Sequence, residues 1–134
     1  MSGSGHRFIN PETIAQPTGY THVVETRGNR TIYISGQVAL DRQGNIAGID
    51  DMAAQAEQIF QNLQAALASV NATFEDVVKL TYYIVDISQI QAIRDVRNRY
   101  INTAHPPAST AVEVSQLVRR EFLLEVEAIA VLQD

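Results

Sequence analysis

A chain of 134 residues, 46% hydrophobic and 19% charged, has the length and balance of one domain built on one core. It contains no cysteine, which excludes disulfides, thiolate nucleophiles and the usual structural zinc sites. A formal charge of −5 argues against nucleic-acid binding, although Arg94, Arg97 and Arg99 form a local basic run, and no apolar stretch of about 18 residues is present to cross a bilayer.

The opening Met1-Ser2-Gly3-Ser4-Gly5-His6 lacks the charged and apolar regions of a secretory signal. Residues 1–7 therefore read as a flexible tail ahead of a single domain over residues 8–134, and the expected location is cytoplasmic. Thr21–Glu25 and Thr31–Val38 are rich in β-branched and aromatic residues, and the turn residues Arg27-Gly28-Asn29-Arg30 between them predict a hairpin. Asp41–Asn45 predicts a second turn. From Asp51 to Val70, the three-and-four spacing of Met52, Ala56, Ile59, Phe60, Leu63, Leu67 and Val70 predicts an amphipathic helix, with Asp50 or Asp51 as its cap.

Val77–Val85 has strand composition and predicts a central strand with Val78, Leu80, Tyr82 and Ile84 on one face. Ser88-Gln89-Ile90-Gln91 fits a capping box, opening a second helix that runs to about Ala104, where His105-Pro106-Pro107 stops it. Two more strands follow, Pro107–Val114 and Leu124–Val131. In the last, Glu125 and Glu127 alternate onto the same face as Ile129 and Val131.

Two helices cover only one face of such a sheet. The other is expected to present Lys79, Thr81, Tyr83 and Val85, then Ser109, Ala111 and Glu113, then Glu125 and Glu127 with their branched neighbours. That face is too apolar to leave in water and too polar for a simple core, which predicts coverage by another copy of the chain, with polar clefts between subunits.

Taken in order, Gly19-Tyr20-Thr21-His22, Tyr33-Ile34-Ser35-Gly36-Gln37-Val38, Gln55 through Asn62-Leu63, Asp76–Thr81, Ala108–Val114 and Glu125–Ala130 resemble the RidA/YjgF family from about Ile14 to Val131. The resemblance implies an α+β, chorismate-mutase-like subunit with a mixed sheet and two helices on one face, assembled as a homotrimer with clefts between subunits. It implies a small-molecule ligand, no cofactor, and hydrolysis of reactive enamines or imines to a carbonyl compound and ammonia. By position, Tyr20 and Glu125 match catalytic residues, Glu125 as the carboxylate that orients water. Ser35 and Gly36 match a Ser-Gly pair lining the cleft.

The departures bear on specificity. Where deaminating members have Pro-Ala-Arg-Ser, this chain has Pro107-Ala108-Ser109-Thr110, so Ser109 replaces the arginine that grips a substrate carboxylate. Such a contact contributes roughly 1.5–3 kcal/mol, which serine cannot replace. Ala111 stands where the family often has Cys or Thr. Arg94 falls where the family often has an asparagine lining the same cleft, so its guanidinium is one source of compensation; the plainer reading is a solvated arginine paired with Asp95 or Glu57. Likewise Glu125 could pair with Lys79, and Glu127 reads as structural. His6, His22 and His105 are scattered without acidic partners at metal-ligand spacing, so no metal site is expected. The departures leave a non-catalytic ligand-binding member of the family as the alternative to an enzyme of atypical specificity, with ribonuclease activity disfavoured by the charge.

Overall fold

The computed structural model describes residues 5–133. Its elements are β1 (Arg7–Ile9), β2 (Val23–Glu25), β3 (Arg30–Gln37), α1 (Met52–Ala68), β4 (Val77–Ile84), α2 (Ile90–Arg97), β5 (Ala108–Glu113) and β6 (Leu124–Leu132). The main sheet is mixed, in the order β3-β6-β4-β5, with β4 parallel to β5 and the other pairs antiparallel. The α+β architecture and the central position of β4 agree with expectation.

Helix α1 forms where the apolar spacing predicts it. Asp51 is the cap, its Oδ1 accepting from the Ala54 amide at 3.0 Å, and Asn71 ends the segment at a φ of 62°. The helix packs on β6 and β3, and its Ala56, Ile59, Phe60, Leu63 and Leu67 are buried in one core with Leu124, Val126, Ala128 and Ala130 of β6 and Leu80 and Ile84 of β4. Each such Leu, Ile or Phe contributes about 1.5–3 kcal/mol by leaving water.

Four expectations are corrected. Strand β2 pairs with β1, Phe8 opposite Val24, and not with β3. The 27–30 segment does not reverse the chain onto β2: the Asn29 amide donates to the Leu132 carbonyl at 3.0 Å, delivering β3 to the edge of β6, where Ile32 and Ile34 lie beside Ala130 and Ala128. Residues 1–4 lie outside the described residues, and β1 begins at Arg7, inside the segment read as a tail.

The second helix is shorter than predicted and opens differently. Asp86 caps a 3-10 turn over Ile87–Gln89, and the Ser88 hydroxyl donates to Asp86 Oδ1 at 2.6 Å instead of closing a capping box. The helix stops at Arg97 because Tyr100 and Ile101 fold inward from turns; the Tyr100 ring stacks on Phe60 at 5.4 Å and meets Phe74 at 5.6 Å. Their burial continues the helical rhythm of the sequence without the helix.

The fourth correction concerns strand phase. Leu80 pairs laterally with Ser109, Tyr82 with Ala111 and Ile84 with Glu113, so these β5 residues share the helix-covered side with Leu80 and Tyr82. Glu113 confirms the phase by accepting from the Ile87 amide at 3.0 Å. Thr110 and Val112 take the open face, with Lys79, Thr81 and Tyr83 from β4 and Tyr33 from β3. Tyr33 is 77% exposed and Val112 41%.

Gln55, fully buried on α1, holds the two ends of this layer together. Its amide donates to the Gly48 carbonyl at 3.1 Å and the Glu121 carbonyl at 2.9 Å, and accepts from the Leu123 amide at 2.9 Å. Gln55→Leu would remove these three hydrogen bonds, leaving the Gly48 carbonyl only the Asp51 amide at 3.0 Å, and should destabilise the fold by about 1–3 kcal/mol, read from denaturant unfolding.

Candidate functional site

On the open face, Glu125 and Glu127 project from β6 beside Tyr83 of β4. The Tyr83 hydroxyl donates to Glu127 Oε1 at 3.0 Å, which supports a structural role for Glu127. That bond, with partial burial and the negative charges of Glu127 and Glu125, holds the Tyr83 phenol above its usual range. Glu125 itself is half-buried and takes no hydrogen bond or ion pair among the described residues. Lys79, proposed as its partner, instead donates to Thr110 Oγ1 at 2.8 Å, because Lys79 lies opposite Ile129 and one step from β5.

The β3 register shifts between Ile34 and Gln37, so Ser35 and Gly36 form a bulge over β6. Gly36 lets the Glu125 carboxylate lie against the backbone: a methyl group on its α-carbon would overlap that carboxylate and push it aside. Ser35 is exposed, and its carbonyl accepts from the Gln37 side chain at 3.1 Å. The structure thus brings Glu125, Gly36 and Ser35 together.

The remaining predicted residues gather on the other side of the sheet. Between α2 and the β4–β5 pair lies a cavity of about 40 Å³, which Arg94 and Arg97 enter from the helix, Tyr82 from β4, and Ser109 and Ala111 from β5. Ile90 and Ile93 form its apolar wall. Arg97 is only 9% exposed, and its Nε and Nη2 both donate to the neutral Asn98 Oδ1, at 3.1 and 3.0 Å. The buried Tyr82 hydroxyl has no acceptor for its proton, its neighbour Arg97 being a donor only; burial pushes its pKa up, against the opposing pull of the Arg97 charge and hydrogen bond and of the Arg94 charge.

Arg94 pairs with neither of its expected partners among the described residues. Glu57 is taken by Arg99 at 2.5 Å and by the Tyr100 hydroxyl, and Asp95 accepts from Gln91 at 2.9 Å. The basic run is therefore not one patch, since Arg99 is neutralised while Arg94 and Arg97 turn inward. Arg97 and Tyr82 were not singled out from sequence as site residues. The available signal was the spacing of Arg94 and Arg97, one helical turn apart, and a tyrosine among the inward residues of β4.

Tyr20 lies beside this second group. Thr21 ties its loop to the start of β5, donating through its side chain to the Pro106 carbonyl and through its amide to the Pro107 carbonyl at 3.3 Å. Gly19, at a φ of 78°, brings backbone against the Arg97 guanidinium, where a side chain would crowd Nη2. Tyr20 meets the His22 ring edge-on at 5.3 Å and lines an open hollow of about 620 Å³ with Pro11, Thr103 and Pro106. Within one chain, then, Glu125 with Ser35 and Gly36 is separated by the sheet from Arg94, Ser109 and Ala111.

The family model for endoribonuclease L-PSP matches residues 11–132. The solved structure of YyfB from Yersinia pestis, a Rid family protein of unknown function, is 37% identical and superposes with a TM-score of 0.88, covering 95% of this chain and 98% of that one. The chain belongs to the RidA/YjgF family. A 2-iminobutanoate/2-iminopropanoate deaminase of Dermatophagoides farinae is 31% identical over 97% of this chain and 99% of its own. E. coli TdcF with bound serine is 27% identical, with a TM-score of 0.68, covering 79% of this chain and 86% of that one. Imine deaminases are thus among the relatives of this RidA/YjgF chain. Among its described residues no helix is long and apolar enough to cross a membrane, and no three acidic or histidine side chains group as metal ligands.

The hydrogen bond between Tyr83 and Glu127 can be tested by pH. Because the carboxylate accepts the phenol's proton and its charge opposes the phenolate, Glu127→Gln should move the Tyr83 titration to lower pH. Tyrosine ring resonances followed by NMR through the alkaline range report the shift.

Proposed function

We propose that this RidA/YjgF protein hydrolyses a small imine or enamine to a carbonyl compound and ammonia, without a cofactor, in clefts between the subunits of a homotrimer. The observation that carries the reading is the unpaired, half-buried Glu125 carboxylate, held against Gly36 at the β3 bulge on an open sheet face. A carboxylate so placed can orient a water molecule and take its proton as oxygen adds to the C=N carbon of a protonated imine. Glu125 then returns that proton to the carbinolamine nitrogen, and ammonia leaves as the hydroxyl oxygen gives up its own proton to the carboxylate and the carbonyl forms. Tyr20 is the second catalytic group, a phenol able to donate a hydrogen bond to the reacting atoms.

The trimer accounts for the separation of the two residue groups. The open face, with Tyr33 and Val112 exposed, is the surface a second copy would cover, and its β5 edge with Arg94, Ser109 and Ala111 would then face Glu125, Ser35 and Gly36 of a neighbour. Ser109 is the observation behind both the atypical specificity and the second reading, a ligand-binding protein without turnover.

Imines generated in place by an amino-acid oxidase and trapped by semicarbazide test the proposal. Added protein should speed their loss, and Glu125→Gln should reduce the rate by roughly a hundredfold or more. Gly36→Ala, by displacing the carboxylate, should fall in the same direction with the fold retained. Sedimentation should report three chains per particle. A monomer at working concentration, or no acceleration with any imine, would overturn the enzyme reading.

A further inference from the structure

We infer that the cavity beneath α2 is a binding site for the carboxylate of a small ligand, held by the guanidiniums of Arg97 and Arg94 and the hydroxyl of Tyr82. This rests on the reading of the protein as one that binds a small molecule, and it names the group by which that molecule is anchored.

Three observations converge. First, a guanidinium removed from water needs a compensating anion, and Arg97 has only a neutral amide oxygen. No carboxylate lines the cavity, and Arg94 beside it forms no ion pair among the described residues. Second, the buried Tyr82 hydroxyl has no acceptor for its proton, since its neighbour Arg97 can only donate, and folded proteins rarely leave such a donor so. Burial keeps it protonated, so it is a donor, like both arginines. Three donors, two of them cationic, with no carboxylate among the lining residues make an enclosure that an anion completes.

Third, size and shape choose the anion. About 40 Å³ is roughly the room of two or three waters, enough for a planar carboxylate and too little for a nucleotide. The isoleucine wall suits an attached alkyl chain, and the flat guanidinium fork matches a carboxylate edge. Ser109 and Ala111 matter here by being short. With Ser109 on the helix-covered side of β5, a long side chain at that position would extend into this space, so the charge comes from the helix and the strand supplies the room.

The test is equilibrium binding with the whole protein, followed by NMR chemical-shift titration and independent of turnover. 2-Oxobutanoate should bind, and its methyl ester should bind roughly tenfold or more weakly. Arg97→Gln should weaken the acid by roughly tenfold or more while leaving the ester unchanged. Tyr82→Phe keeps the ring that packs in the core and should cost roughly threefold to tenfold, again for the acid alone. Inorganic phosphate is the competing probe. Equal affinity for acid and ester, phosphate binding without carboxylate binding, or acid binding indifferent to both substitutions would overturn the inference, even if imines are hydrolysed. Carboxylate binding that depends on Arg97 in a protein that turns over no imine would uphold it while removing the enzymatic reading.

Discussion

Strand β6 is the constraint on which the rest of the molecule depends. It is paired on both sides, to β3 and to β4, and its alternation separates two chemistries. Leu124, Val126, Ala128, Ala130 and Leu132 face the helices and are buried, while Glu125 and Glu127 take the opposite face. A slip of one residue would drive both carboxylates into the apolar layer, so the hydrophobic demand of α1 is also what fixes the acid on the open surface. Packing and chemistry are set by the same register.

The arginines obey the opposite logic. Arg94 and Arg97 point toward the core side of the sheet, where the field of each is little screened, and the acidic residues that could have quenched them are engaged elsewhere: Glu57 with Arg99, Asp95 with Gln91, Glu113 with a backbone amide. A chain with a net charge of −5 therefore keeps a small positive enclosure. Acid and base are distributed to the two sides of one thin layer.

Much of this was legible in the sequence wherever one physical signal dominated. Helix α1 shows its apolar stripe plainly, and β6 its alternation, so their spans and the outward direction of Glu125 followed directly. The errors arose where two signals compete. In β5 the residues Ala108-Ser109-Thr110-Ala111-Val112-Glu113 do not alternate, so the phase comes from pairing with β4, which no local pattern reveals. The end of α2 was overrun because Tyr100 and Ile101 are buried by turns at nearly helical spacing. The supposed hairpin failed because three partly exposed residues of β2 compete poorly with β6 for an eight-residue neighbour. The Arg97 and Tyr82 enclosure was hidden for a related reason: its walls come from α2, β4 and β5, and only their packing makes it a place.

The clamp made by Gln55 has a consequence for the long β5–β6 connection. Glu121 and Leu123 are held at one end by that amide and by the Val85 amide on the Leu123 carbonyl, and Glu113 is anchored to Ile87 at the other, so what lies between bears little of the fold's load. Val118 stands 81% exposed there, and Arg119 spans only to Glu121 and the Phe122 ring. The crown of that connection, around residues 115–119, is consequently where the chain can absorb inserted or deleted residues, a peptide epitope or a fluorophore, without disturbing either face of the sheet.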